Sequence, residues 1–297
     1  MKRGQQTKRS ADELYGVLFL APIFILMTCI TFLPILSAIR TSFHETMYAQ
    51  VKDFIGLGNY KEVLGSPEGW LCIRNSVVFV LGSLLIVMPL GVVIGSLINR
   101  KVPAVGVYRT MIIIPWVLSQ TVSAMLFKWI LNGNYGPVSY LSMLISGDKI
   151  DVFSNGAQSM ILVIVANAWN TLPVVEILTL AALQSIPQEI YEAAMVDGVP
   201  RLKTYTAITL PMIKPTLITS LVMQSMEYFN MVTLIYVLTA GGPLGSTQTL
   251  SVAAFRNGFD FWHLGLASSY SVVIFLMNVV FSLFYINLLS KGMEDWV

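Results

Sequence analysis

Apolar residues in this chain come in six long runs separated by shorter polar stretches. The runs fall at about residues 14–38, 75–99, 106–130, 157–184, 207–239 and 266–290. Each reaches the roughly 20 residues that a helix needs to cross a bilayer core. No water is available there for backbone amides, so runs of this length predict helices. The pattern therefore predicts an all-α integral membrane protein with six transmembrane helices. Pro211 and Pro215 near the start of the fifth run predict a short interfacial segment, then a kinked continuation into the membrane. Stretches 131–156 and 240–265, rich in Gly, Asn and Ser, read as outer loops. Gly241-Gly242-Pro243 reads as a tight outer turn. Stretch 40–73 reads as an outer loop with aromatic anchors around Phe54–Tyr60.

Composition sharpens this picture. Of 297 residues, 55% are hydrophobic and 11% charged, against about 25% charged in soluble domains. No single soluble core hides that much apolar surface, so the bilayer is expected to be the solvent. The net charge of +2 gives no sign of a nucleic-acid partner. Cys29 and Cys72 lie in or beside apolar runs, and His44 and His263 are isolated, so no disulfide or metal site is expected.

Charge also orients the spans. Lys2, Arg3, Lys8 and Arg9 precede the first run, which is too long for the apolar core of a cleaved signal peptide. With the N-terminus inside, eleven of the 18 Lys and Arg residues fall on the inner side. That bias matches the positive-inside rule. The expected layout is an inner tail at 1–13, a membrane domain at 14–291 and an inner tail at 292–297, in a bacterial or archaeal plasma membrane. No phosphate loop of the form G-x-x-x-x-G-K occurs, so the chain is not expected to be an ATPase or other enzyme.

The inner loop at 185–206 stands out as a polar island. Ser185 followed by Pro187 and Gln188 reads as the capped start of a helix. Ile190, Ala193 and Ala194 share one face at helical spacing, and Glu189 and Glu192 share another. Gly198 reads as the stop, and Pro200 starts a second short helix leading to Pro211. Taken alone, this is a helical hairpin able to hold a water-soluble partner.

Glu192-Ala193-Ala194, Asp197-Gly198, Ile208, Leu210 and Pro211 together resemble the EAA loop of ABC importer permeases. Further stretches are similar to the carbohydrate-uptake branch of that family, the maltose and glycerol-3-phosphate type. They include Phe54-Ile55-Gly56-Leu57 with Asn59-Tyr60, Asn75-Ser76, Tyr108-Arg109, Ile114-Pro115, Leu183–Pro187 and Gly241-Gly242-Pro243. The resemblance implies a type I importer fold. It implies ATPase coupling through Glu192, Ala193, Ala194, Asp197, Gly198, Leu210 and Pro211. It also implies partners: two cytoplasmic ATPase subunits, a second and different permease, and an extracytoplasmic binding protein that delivers a carbohydrate. ATP and Mg would be used by the ATPase subunits, with no cofactor on this chain.

Polar residues inside spans mark candidate pathways. Trp116, Ser119 and Gln120 follow Pro115. Asn167, Trp169, Asn170 and Thr171 precede Pro173, with Glu176 beyond it. Gln224, Glu227, Tyr228 and Asn230 recur at spacings of three and four, which suggests one broad face. Amides, a carboxylate and aromatic faces form a chemistry suited to a sugar; interhelical hydrogen bonding is the other use of the same residues. By resemblance, Trp116, Gln120, Asn167, Trp169, Phe229 and Asn230 match positions that contact sugar in maltose-type permeases. Glu227 and Tyr228 join them here on chemistry. The function expected is ATP-driven uptake by alternating access. The alternative is a secondary transporter driven by an ion gradient, with Glu176 or Glu227 as its ion site.

Overall fold

The computed structural model describes residues 17–48, 50–99, 105–149 and 151–294. The inner tail 1–13 and residues 295–297 lie outside the described residues. Among the described residues, helices dominate and the one sheet is a short antiparallel hairpin.

Helix α1 (Val17–Ser42) is strongly apolar up to Arg40 in its last turn, and the apolar stretch it offers the membrane is exposed along its length. It meets the rest of the chain mainly at its C-terminal end, the end expected to lie outside. There the stretch expected to be an aromatic loop forms ordered structure. Strands β1 (His44–Met47) and β2 (Gln50–Phe54) pair, with His44 opposite Phe54, and α2 (Gly58–Gly65) follows. Asn59 explains why this segment is not a free loop. Its Nδ2 donates to the carbonyls of Ser42 (2.9 Å) and His44 (3.0 Å). Tyr60 and Ser42 share a hydroxyl bond of 2.7 Å.

Helix α3 (Pro67–Ile98) starts earlier than the apolar run does, because Ser66 accepts from the Gly69 amide and Pro67 suits a first turn. It packs along α7 (Gly156–Gln184), the main helix pair of the fold. Gly91 and Gly95, four residues apart, permit that contact. A Cβ added at Gly95 would lie 2.9 Å from Thr179 Cβ and 3.0 Å from the Glu176 carbonyl. Phe79, Val80, Val163, Tyr228, Leu234 and Ile274 belong to the central core these helices enclose.

The third apolar run is not one straight helix. α4 (Val105–Val117) and α5 (Gln120–Ile130) meet at 93°. Pro115 lacks an amide hydrogen, and Ser119 restarts the chain by accepting from the Val122 amide at 3.3 Å. The break frees carbonyls that lipid cannot satisfy. Asn170 on α7 supplies the donor: its Nδ2 lies 2.7 Å from the Pro115 carbonyl and 3.0 Å from Ser123 Oγ.

The outer stretch at 131–156 contains a short apolar helix, α6 (Pro137–Ser146), before α7. After α7 comes α8 (Gln188–Val196), then α9 (Arg201–Phe229). A π-turn at Tyr205–Thr209 in α9 absorbs the approach to Pro211. The expected fifth span ends early. α9 stops at Phe229, where the Asn230 side chain folds back to the Met226 carbonyl at 2.7 Å. A separate α10 (Thr233–Thr239) follows. Gly241 has φ +84° and the Gly242–Pro243 peptide is cis, in an outer turn stitched by Thr239 and Thr247 at 2.7 Å. α11 (Leu250–Phe255) and the long α12 (Leu264–Glu294) complete the chain.

Two more outer contacts join distant segments. Asn75 Nδ2 donates to the carbonyls of Gly245 (2.8 Å) and Gln248 (3.1 Å), and Ser76 Oγ accepts from the Leu250 amide at 2.8 Å. Thr46 Oγ1 accepts from the Gly265 amide at 2.7 Å.

Candidate coupling loop and candidate pathway

The polar island folds as a compact knuckle. Its expected capping box does not form. Ser185 Oγ donates back to the Ala182 carbonyl at 2.8 Å and ends α7, while the residue before α8 is Pro187, with no side-chain cap. Gln188 instead donates to Glu192 Oε1 at 2.9 Å. Pro187 disfavours a helical conformation at Ile186 before it, which moves the helix start past Ser185.

The stop at Gly198 is a Schellman turn. The Val199 amide reaches the Ala194 carbonyl (3.0 Å), and the Gly198 amide reaches that of Met195 (3.1 Å). Gly198 sits at φ +71°, a backbone region that disfavours any side chain. Nothing lies within 4 Å of a Cβ placed there, so its glycine answers to backbone geometry alone.

The seven expected coupling residues divide by position. Ala194 is buried, and Leu210 and Pro211 are half-buried. Leu210 packs on a small core of Ala182, Leu183 and Ile213 that ties α9 to the end of α7. Glu192, Ala193, Asp197 and Gly198 lie on the surface. With them stand three apolar side chains that the sequence reading did not single out. Met195 is 71% exposed, Val196 87% and Leu202 77%. Large apolar residues inside an otherwise polar loop were the available signal.

The candidate pathway residues also divide. Trp116 at the end of α4 is 54% exposed. Gln120 and Trp169 are half-buried, and the Trp169 ring lies 5.5 Å from that of Phe127, edge to face. Glu227 and Asn230 are exposed. Asn167, Tyr228 and Phe229 are buried inside the protomer, so they do not line open space. Tyr228 is held by Thr171 (2.7 Å) and Gln224 (3.0 Å), and Phe229 lies 5.0 Å from Phe281.

The single broad face expected on α9 is therefore two faces. At about 100° per residue, Gln224 and Tyr228 point one way and Glu227 and Asn230 another. In the inner pair Gln224 donates to the Tyr228 hydroxyl, which in turn bonds to Thr171. The outer pair shares its stripe with exposed Met223 and Met226. Asn170, Thr171 and Ser119 serve packing and capping in this geometry. Asn167 differs from them: neither atom of its amide is within hydrogen-bond geometry of a partner among the described residues. Glu176, buried in α7, has no partner for Oε2 among the described residues.

The chain's sequence from 87 to 293 matches the family described as the binding-protein-dependent transport system inner membrane component. The chain belongs to that family. The permease is 30% identical over 273 residues to the trehalose/maltose transport system permease protein MalF of Thermococcus litoralis, covering 92% of each chain. It is 30% identical over 286 residues to the trehalose transport system permease protein SugA of Mycobacterium tuberculosis, covering 96% of this chain and 91% of that one. Its fold matches a chain of a bacterial alginate ABC transporter, solved with an alginate pentasaccharide-bound periplasmic protein. The TM-score is 0.81 over 94% of both chains, at 23% identity. The chain is thus a multi-pass inner-membrane permease with the fold of a type I ABC importer. Membership in this family favours a binding-protein-dependent importer over the ion-gradient alternative.

Proposed function

We propose that this permease forms half of the pathway of an ATP-driven carbohydrate importer, paired with a second, different permease. An extracytoplasmic binding protein delivers the sugar at the outer loops. Two cytoplasmic ATPase subunits hold ATP and Mg, and this chain holds neither. Both termini face the cytoplasm, in keeping with the distribution of Lys and Arg along the chain.

The observation that carries this reading is the knuckle at Met195–Leu202. It presents apolar side chains to water on a turn fixed by Gly198, next to the carboxylates of Glu192 and Asp197. Apolar groups clustered on a polar loop mark a surface awaiting a partner. Leu210 and Ile213 bind the knuckle to α7 and α9, so a push on it reaches those spans directly. Closure of the ATPase pair shifts the permease between outward and inward access by that route.

The substrate class follows from the relatives named for trehalose and maltose, together with the exposed side chains. Trp116 and Trp169 offer rings to a sugar face, and Gln120, Glu227 and Asn230 offer hydrogen bonds.

Uptake by the complete transporter, reconstituted with its binding protein and ATPase, tests this. It is expected to require ATP, to persist when ion gradients are collapsed, and to select one sugar from a panel of mono-, di- and oligosaccharides. Uptake that ignores ATP and follows a gradient sinks the proposal.

A further inference from the structure

A cavity of about 340 Å³ lies where α8 and the start of α9 fold against the inner ends of α3 and α7. Ser96 and Asn99 face it from the α3 side, and Tyr191, Arg201 and Tyr205 from the loop side. Leu183, Met195 and Val199 give it an apolar floor. Among the described residues the two sides share one hydrogen bond, between Ser96 Oγ and the Tyr205 hydroxyl at 2.9 Å.

Arg201 has no ion pair among the described residues, and Asp197, four residues before it, does not reach it. The Asn99 side chain makes no hydrogen bond among the described residues either. The Arg201 guanidinium, the Asn99 amide and the Tyr191 hydroxyl thus border a space that none of the described residues fills.

We propose that this cavity binds a phosphate-bearing anion. A guanidinium matches phosphate oxygens in a two-pronged geometry, with charge-assisted bonds stronger than neutral ones. Asn99 and Tyr191 supply the remaining donors; the Tyr205 proton is committed to Ser96 Oγ, whose own proton goes to the Val92 carbonyl. The proposal rests on the reading above in one respect, that this loop faces the cytoplasm. Basic pockets between spans on that side suit anionic headgroups. The phosphate comes from an inner-leaflet phospholipid or from a soluble phosphate ester. In either case the anion bridges the loop and the body, so it holds their spacing as the transporter cycles.

Native mass spectrometry of the complete transporter tests this with phosphatidylglycerol, with phosphatidylcholine and, separately, with glycerol phosphate. The wild type is expected to retain phosphatidylglycerol over phosphatidylcholine. Arg201→Gln should weaken that retention roughly tenfold, the loss of a charge-assisted donor, and Arg201→Lys should restore part of it. Binding of glycerol phosphate lost in Arg201→Gln assigns the soluble source instead. Retention of neither anion, or equal retention by wild type and Arg201→Gln, overturns the proposal. A carboxylate of the ATPase seated on Arg201 gives that negative result. Loss of ATPase subunits from the same spectra reports separately on the coupling loop, because anion retention is read on the permease itself.

Discussion

The outer end of this permease and its inner loop use polar groups in opposite ways. Outside, amides are spent inside the chain. Asn59 holds the carbonyls of Ser42 and His44, and Asn75 holds those of Gly245 and Gln248. Inside, apart from the contact of Tyr205 with Ser96, the polar contacts of the loop are local, such as Gln188 to Glu192, and Met195, Val196 and Leu202 stand exposed. The outer end is closed by bonds between distant segments, although Leu244, Tyr48 and Phe54 are exposed there as well. The inner loop has a backbone fixed by its Gly198 turn and few bonds to the rest of the chain, which suits the docking role proposed for it. Polarity alone does not separate the two; what matters is whether each group's partner lies within the chain.

Four substitutions test that contrast, in falling order of their expected cost to stability. Asn75→Leu leaves two outer carbonyls without their donor and should cost roughly 2–4 kcal/mol. The permease should then unfold at clearly lower temperature in a detergent thermal scan. Asn170→Leu strips the donor from the broken third span and should cost about 1–3 kcal/mol, with increased proteolysis near Leu118–Ser119. Gly198→Ala meets no clash, so only the left-handed backbone is charged for it, about 1 kcal/mol. Its thermal shift should be small, and its ATP-driven uptake should fall because the knuckle is misdirected. Val196→Asp should leave stability within about 0.5 kcal/mol yet abolish retention of the ATPase in pull-down. If Val196→Asp retained the ATPase fully, the knuckle would not be the docking surface. If Asn75→Leu melted like wild type, the outer end would not be held by its amides.

Much of this fold is legible in the sequence because the bilayer demands long apolar runs, and those runs mark the helices. The breaks are not legible in the same way. Pro115 signals a weak point, but the 93° turn depends on Asn170 waiting on another helix. Asn230 ends α9 by bonding its own backbone, a choice that a polar residue near mid-span does not announce. Ser185 misleads because its hydroxyl serves the helix before it rather than the one after it. For the pathway, sequence supplies the chemistry and spacing supplies a face. Only the packing of Thr171 against Tyr228 reveals that two faces are involved. The Gly91–Gly95 contact was open to reading, since small residues four apart signal close helix crossing.

The outer amides also set an order of events during synthesis. Asn75 bonds to a carbonyl 170 residues later, and Gly265 meets Thr46 across 219 residues. A chain still emerging from the ribosome cannot close either contact until most of its length has been inserted. Contacts this distant in sequence form late and slowly. The nascent protein therefore waits with Asn75 and Thr46 unpaired, and the arrival of α12 is what closes the bond from Gly265 to Thr46.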